Sequence, residues 1–227
     1  MTLKKIISLV AILFATSTAF ADLDIKKENH IQNNEVGKCA WCTIESLGLT
    51  QGWTAIKGLT ASKNAPAYNY QIDETLRKFN ITHKTYQIDV TEWWYIVCYQ
   101  EKGKNPVVDK CLRTQKEAND YIKNSKKEGT FYTVKEYYRK TAFLFDCIKK
   151  EMGVGISIDH FKIDPKGERH MLVAVGVDDD EVRCVDSNFA PGKIRKIPLR
   201  DFLIMWNGHI VIIEPKPVEP KLVDKKP

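Results

Sequence analysis

The last third of the chain is a series of short apolar segments with the pattern of β-strands. Residues 154–158 alternate, residues 171–177 are almost entirely apolar, and residues 182–185 and 209–213 follow. Apolar segments of this length, separated by turn residues, are typical of buried strands. With a short helix at 199–206, the pattern predicts a mostly antiparallel sheet here.

The first half of the chain has helical spacing instead. After Gly37, which permits a tight turn, Trp41, Ile44 and Leu47 recur at three-residue intervals, so a helix that begins near Cys39 should bury this face. Two more helices are expected, over residues 72–79 and, ending at Gly153, over roughly 136–152. The predicted fold class is α+β, with an N-terminal helical half packed on a C-terminal sheet.

Residues 92–135 read as a small ββαβ unit inserted in the main domain, which spans residues 22–213. A turn at 103–106 joins two strands into a hairpin, and Thr114 and Glu117 form a capping box that opens a helix before the last strand. Its aromatic residues are typical of the unit's own core, although they could also line a binding surface. They are Trp93, Trp94, Tyr95 and Tyr99.

The two ends of the chain have compositions unlike the rest. Residues 1–21 read as a signal peptide, with a charged start, an apolar run and a small-x-small cleavage site after Ala21. We therefore expect a secreted or periplasmic protein, with no stable membrane insertion after cleavage. Residues 214–227 hold four of the nine prolines and are expected to form a disordered, solvated tail.

Charge and cysteine content restrict the class of protein further. The formal net charge is only +6, and no basic stripe is interleaved with aromatic residues, which argues against a nucleic-acid partner. Six cysteines in an exported chain favour disulfides, and Cys98 and Cys111, which flank the predicted hairpin, are the most plausible pair. The oligomeric state is left open.

Cys39 is the first candidate for chemistry. At the start of a helix, unpaired backbone amides and the positive end of the helix dipole stabilise an anion. Such a position lowers the pKa of a thiol and increases the fraction present as nucleophilic thiolate. The alternative is a cysteine that is merely buried or in a disulfide.

His170 and Asp186 are the residues that could activate this sulfur. His170 opens the apolar strand, where the sheet fixes its backbone while its ring can reach a cleft. Asp186 follows the next strand, and if the two strands pair as a hairpin, its carboxylate comes beside His170. A carboxylate in that position orients a catalytic base. Asn188 is a possible substitute for it.

These residues resemble those of the papain-like cysteine peptidases, most closely the bacterial branch of peptidase family C39 and its relatives. The interval of 131 residues from Cys39 to His170 falls within the roughly 130–150 residues of papain-type enzymes. The two matching windows cover about residues 32–48 and 169–190. They contain, in order, Gly37, Lys38, Cys39 and Thr43, then His170, Gly176, Asp186 and Asn188.

The resemblance implies a papain-like fold and a Cys39–His170–Asp186 triad that hydrolyses peptide bonds through an acyl-enzyme. The substrate would be a peptide or protein, including cell-wall peptide, and neither cofactor nor metal is expected. Family members usually carry a Gln about six residues before the nucleophile that binds the oxyanion. Here Asn33 stands there, with Gln32 next to it, and either amide could donate.

Other readings stay open. The Cys39-x-x-Cys42 pair at a helix start could belong to a thiol–disulfide oxidoreductase, although no hydrophobic strand precedes it. A zinc site using these cysteines, Cys184 and a histidine lacks a second close ligand pair. A papain-like protein that binds peptide without turnover is a further alternative. His30, His83, His160 and His209 show no partner pattern.

Overall fold

The computed structural model describes residues 23–33, 37–63, 66–67, 69–150 and 152–218. The predicted signal peptide, residues 1–21, and residues 219–227 of the predicted tail lie outside them. The helices are α1 (Cys39–Thr50), α2 (Asn69–Lys78), α3 (Gln115–Asn124), α4 (Ala142–Lys149) and α5 (Leu199–Met205). The strands are β1 (His83–Gln87), β2 (Thr91–Gln100), β3 (Val107–Leu112), β4 (Thr130–Arg139), β5 (Gly153–Asp159), β6 (Arg169–Val177), β7 (Glu181–Val185), β8 (Ile194–Pro198) and β9 (Trp206–Ile213).

Six strands form the main sheet, in the order β1-β9-β5-β6-β7-β8. Every neighbouring pair in it is antiparallel. The α+β class and the antiparallel C-terminal sheet predicted from the sequence are therefore confirmed. The topology places β6 between β5 and β7, and it pairs β6 with β7 as the hairpin that the sequence predicts.

Alternate residues of β6 contribute to two separate cores. Leu172 and Ala174 belong to a core that also contains residues of α4, α5, β2 and β3. Met171, Val173 and Val175 belong to a core with α1 and α2. Because β6 is covered on both faces, nearly all of its residues are apolar, as is usual for a strand buried on both sides.

Two glycines of β5 let α1 lie directly against the sheet. A Cβ atom at Gly153 would lie 2.9 Å from Cδ1 of Leu47, and one at Gly155 would lie 3.6 Å from Cγ2 of Thr43. Beside Gly155, the buried hydroxyl of Thr43 donates to the Met171 carbonyl at 2.9 Å. Close packing and this hydrogen bond fix α1 to the strand that carries the candidate base.

Strands β2, β3 and β4 form a second antiparallel sheet, in the order β3-β2-β4, with α3 packed on it. The capping box is present: the Thr114 hydroxyl accepts from the Glu117 amide at 3.2 Å, and the Glu117 carboxylate accepts from the Thr114 amide at 2.9 Å. Trp94 is buried in the first core, whereas Trp93 is half exposed and lies against the Tyr137 ring. The aromatic residues of this sheet are thus divided between core and surface.

The helix predicted over residues 136–152 is wrong at its start. Strand β4 continues to Arg139, and α4 begins only at Ala142. Tyr137, predicted to face the core, is 56% exposed. The whole of β4 pairs with β2, and these tertiary contacts override the helix propensity of the charged residues around Tyr137.

The cysteine pair proposed from the sequence is not formed in this structure. All six cysteines, each within the described residues, are free thiols. The strand register places Cys111 opposite Ile96 and Cys98 opposite Val108. The two cysteines are therefore diagonal neighbours, with Cβ atoms roughly 7 Å apart in an ordinary ladder. A disulfide needs about 3.5–4.5 Å.

The segment after β9 remains attached to the domain over its first residues. The Glu214 amide donates to the Thr82 carbonyl at 3.0 Å, and the Lys216 amide donates to the Gln51 carbonyl at 2.8 Å. Residues 214–216 therefore bind beside the C-terminal end of α1. The predicted solvated tail begins later than Glu214.

Candidate active site

Cys39 is the first residue of α1 and is partly exposed at the wall of a cavity. Burial alone would raise the pKa of its thiol. Burial is the largest single effect, but the hydrogen bond with His170, the charge of His170 and the backbone amides of Met171 and Ala40 together outweigh it. The pKa of Cys39 therefore lies below its ordinary value, which increases the fraction of thiolate at neutral pH.

His170 is the second residue of β6 and is buried. Its Nε2 lies 2.7 Å from Oδ1 of Asp186, which leaves Nδ1 for the sulfur of Cys39. Burial alone would lower the pKa of His170, but the hydrogen bonds with Asp186 and Cys39 raise it to about 9. The opposite shifts of the two pKa values favour a thiolate–imidazolium pair.

Asp186 follows β7 directly and is 1% exposed. Oδ1 also accepts from the Asn188 amide at 2.9 Å, and Oδ2 accepts from Nη1 of Arg195 at 2.8 Å. Burial alone would raise the pKa of Asp186, but His170, the Asn188 amide and Arg195 together lower it to about 2. The β6–β7 hairpin thus brings His170 and Asp186 together, and α1 places Cys39 against His170, so that all three residues named from the sequence meet.

Two residues around Asp186 were missed by sequence reasoning. Arg195 comes from β8, an edge strand that the sequence pattern does not predict. His30 is buried, with Nδ1 accepting from the Gly192 amide at 3.2 Å and Nε2 donating to the Asp186 carbonyl at 3.2 Å. Neither residue has a recognisable signal in the sequence. Arg195 stands among other basic residues, and His30 is a lone histidine that bonds only backbone groups.

The amide side chains proposed from the sequence lie beside this cluster. The His170 imidazole bonds Asp186, whereas Asn188 contributes its backbone amide to that carboxylate. The side-chain oxygen of Asn188 accepts from Nδ2 of Asn33 at 3.3 Å, and Gln32 is exposed. None of the three amide residues is among those that line the cavity in front of Cys39. Asp186 is therefore the better placed of the two orienting candidates, whereas the role of Gln32 or Asn33 as an oxyanion donor stays a prediction.

His160 is a further titratable group near His170. Its ring centroid lies 6.4 Å from that of His170. Burial lowers the pKa of His160, and the positive charges of Arg195 and His170 lower it further. His160 is therefore neutral at physiological pH. It does not compete with His170 as a cationic partner of the Asp186 carboxylate.

The cavity in front of Cys39 and His170 has a volume of about 610 Å³. This is within the usual range of ligand pockets, roughly 300–1,000 Å³. It lies between α1, α2 and the start of β6. Its apolar lining residues are Ala40, Pro66, Ala67, Ile72 and Met171, and its polar ones are Asn69, Tyr70, Ser157, Glu168 and Arg169. The cavity therefore presents both apolar and polar surface next to the sulfur.

The arrangement bears on two other predictions. Within the described ranges, no group of three or more His, Cys, Asp or Glu side chains could hold a metal ion. Cys184, one ligand of the zinc alternative, lies apart from Cys39 and Cys42, in the core on the other face of the sheet from α1. No helix in the described part of the chain is both long and apolar enough to cross a membrane.

Comparison of the chain with protein-family models gave no match, and comparison with curated proteins gave none either. The geometry itself defines a chemistry. A sulfur with a lowered pKa, an imidazole that can carry its proton, and a buried carboxylate that orients the imidazole are the parts of a nucleophilic catalyst. Such a site can attack an acyl carbon bound in the adjacent cavity.

Proposed function

We propose that this protein is a secreted, papain-like cysteine peptidase, similar to the C39-like branch, which hydrolyses peptide bonds with Cys39, His170 and Asp186. The observation that carries the proposal is the continuous series of contacts from the Cys39 sulfur through the His170 imidazole to the Asp186 carboxylate, at a cavity wall. A helix that carries the nucleophile and packs on an antiparallel sheet that carries the base supports the papain-like architecture.

In the first half of the reaction, the Cys39 thiolate attacks the carbonyl carbon of the substrate amide. The backbone amide of Cys39 can donate to the oxyanion that forms. The His170 imidazolium then gives its proton to the leaving nitrogen, and the carbon–nitrogen bond breaks. The product is an amine and a thioester between the acyl group and Cys39.

In the second half, His170 is neutral and acts as a base. It takes a proton from water, whose oxygen attacks the thioester carbon, and the carbon–sulfur bond breaks. The acid product leaves, and the thiolate–imidazolium pair is restored. Asp186 holds the imidazole in the orientation that both halves need and stabilises its charge, as the carboxylate does in related triads.

The substrate class is a peptide or protein, and peptide links in cell-wall material have the same amide chemistry. The apolar and polar lining of the cavity supports binding of a peptide chain in extended form. The signal-like residues 1–21 support an exported enzyme that meets such substrates outside the cytoplasm.

A second candidate is a peptide-binding protein without turnover. It is favoured by Gln32 and Asn33, the two amides expected to bind the oxyanion, because neither is among the residues that line the cavity. Removal of one such donor lowers the rate of acyl transfer by about 10²–10³ in enzymes that use it. A slow enzyme and a binding protein are thus the two outcomes to separate.

The test is cleavage of a mixed peptide library, and of cell-wall peptides, by the purified full chain, with products detected by mass spectrometry. We expect cleavage that Cys39→Ala abolishes. Cys147→Ala is the matched control, since it removes a buried thiol in α4 on the other side of the sheet and should keep the activity. Peptide binding that is equal in wild type and Cys39→Ala, without any product, would contradict the peptidase and favour the binding protein.

A further inference from the structure

A second thiol lies one helical turn after the candidate nucleophile. Cys42 is fully buried on α1, whereas Cys39 is partly exposed. The other four thiols, Cys98, Cys111, Cys147 and Cys184, all lie in the core on the opposite face of the main sheet. If the Cys39 sulfur is oxidised, Cys42 is the thiol within its own chain that can reach it without crossing the sheet.

Helix geometry brings the two residues within range of a disulfide. Residues three apart in an α-helix have Cα atoms about 5 Å apart, which falls within the roughly 4.4–6.8 Å that a disulfide allows. Their Cβ atoms, at about 5–6 Å, must approach by about 1–2 Å. This approach must take place in the first turn of α1, where the Cys42 amide bonds the Lys38 carbonyl at 3.0 Å and where Gly37 precedes the helix with a left-handed φ of 83°.

The two sulfurs differ in reactivity in the way that a sequential reaction requires. Burial raises the pKa of Cys42 to about 11, and the nearby Cys39 charge raises it as well. Cys42 therefore stays a thiol, which reacts slowly with oxidants, while Cys39 carries thiolate character. An oxidant should attack Cys39 first.

We propose that Cys42 is the resolving cysteine of Cys39 and that hydroperoxides convert the pair reversibly to a Cys39–Cys42 disulfide. This inference rests on the same activated sulfur as the proposed function. The Cys39 thiolate attacks one peroxide oxygen, the O–O bond breaks, and hydroxide leaves, so that the sulfur is oxidised to sulfenic acid and the peroxide is reduced. The Cys42 sulfur then attacks the Cys39 sulfur, the S–O bond breaks, and the departing hydroxide takes the Cys42 proton to leave as water.

The modification has a clear consequence for the site. A disulfide removes the nucleophile, and a thiol reductant restores it. It also protects Cys39 from irreversible oxidation to sulfinic acid, which a lone cysteine at this position would undergo.

The experiment treats the purified full chain with hydrogen peroxide at pH 7, blocks free thiols with iodoacetamide, and examines the tryptic peptide of residues 39–57, which contains both cysteines, by mass spectrometry. We expect this peptide to lose two hydrogens and to regain both thiols with dithiothreitol. In Cys42→Ala, Cys39 should instead progress to sulfinic acid that dithiothreitol does not reverse. Cys147→Ala, which removes an equally buried helical thiol, should behave as wild type.

Two outcomes overturn the inference. In the first, Cys39 is oxidised to sulfinic acid at the same rate in wild type and in Cys42→Ala. In the second, Cys39 remains a free thiol under peroxide. Alkylation of untreated protein separates these from failure of the proposed function. If iodoacetamide labels Cys39 well below pH 8 but no disulfide forms, only the role of Cys42 is wrong. If Cys39 neither alkylates nor oxidises, the activated sulfur of the proposed peptidase is wrong as well.

Discussion

Arg195 places Nη1 2.8 Å from Oδ2 of Asp186, while the other oxygen of the same carboxylate, Oδ1, bonds the imidazole of His170. A cation on one oxygen keeps the buried carboxylate ionised and reduces its attraction for a proton on the other side. Arg195 therefore acts on His170 through Asp186 and is a positioning residue.

Replacement of Arg195 by Met should raise the pKa of His170. Removal of a positive charge near the imidazolium stabilises its protonated form, and we expect a shift of about 0.5–1 unit above the wild-type value. The measurement is the NMR titration of the His170 ring between pH 5 and 11. Arg195→Lys is the matched control and should stay within a few tenths of wild type. An unchanged or lower pKa in Arg195→Met would show that Arg195 serves only to hold β8 in place.

The hydroxyl of Thr43 should matter more than that of Thr50 in the same helix. Thr43 is buried and donates to the Met171 carbonyl in β6, whereas Thr50 donates to the Ser46 carbonyl within α1. Thr43→Val leaves a buried carbonyl without its donor and should lower the free energy of unfolding by about 1–3 kcal/mol. Thr50→Val should cost less than about 0.5 kcal/mol.

Urea unfolding measures both variants, and the rate of Cys39 alkylation at pH 6 shows whether the site is affected. We expect slower alkylation in Thr43→Val alone, because this hydrogen bond holds α1 against β6. Equal losses in the two variants would mean that the bond between helix and sheet has no special role in positioning Cys39.

Two buried histidines should respond in opposite ways to the loss of their rings. No described residue bonds either ring nitrogen of His209, and burial, with the nearby Arg169 charge, lowers its pKa to about 4. Its ring therefore carries two unsatisfied polar atoms, and His209→Leu should leave stability unchanged or raise it by about 1 kcal/mol.

His30 is the matched case, since it is equally buried but both of its ring nitrogens are bonded. His30→Leu should lower the free energy of unfolding by about 1–3 kcal/mol, because it leaves the Gly192 amide and the Asp186 carbonyl unpaired. Thermal or urea unfolding compares the two variants. A larger loss in His209→Leu than in His30→Leu would contradict the assignment of partners.

The parts of the fold that the sequence predicts well are those where local pattern and tertiary burial agree. In α1 the apolar spacing of Trp41, Ile44 and Leu47 coincides with the face that the sheet buries. In β6 the apolar run reflects cover on both faces. Because His170 and Asp186 sit at the ends of paired strands, their approach to Cys39 also follows from the order of these elements.

The parts that it misses depend on contacts between distant segments. Around Tyr137 the local sequence suits a charged helix, and only pairing with β2 makes it strand. In β8, Ile197 is the one buried residue, so the strand has no clear alternation of apolar and polar residues. The role of Arg195 can be inferred only from its contact with Asp186. Neither contact leaves a trace in local spacing.

The most direct test of the site is alkylation of Cys39 by iodoacetamide across pH 4 to 9, in wild type and in His170→Ala, with the labelled residue identified by mass spectrometry. The His170 imidazolium stabilises the thiolate, so labelling of wild-type Cys39 should begin well below pH 7. In His170→Ala the thiolate should appear only at or above its ordinary pKa of about 8.5, because burial is then no longer offset by the imidazolium. If Cys39 labels with the same pH profile in both proteins, the thiolate–imidazolium pair does not form, and the proposed catalytic mechanism is wrong.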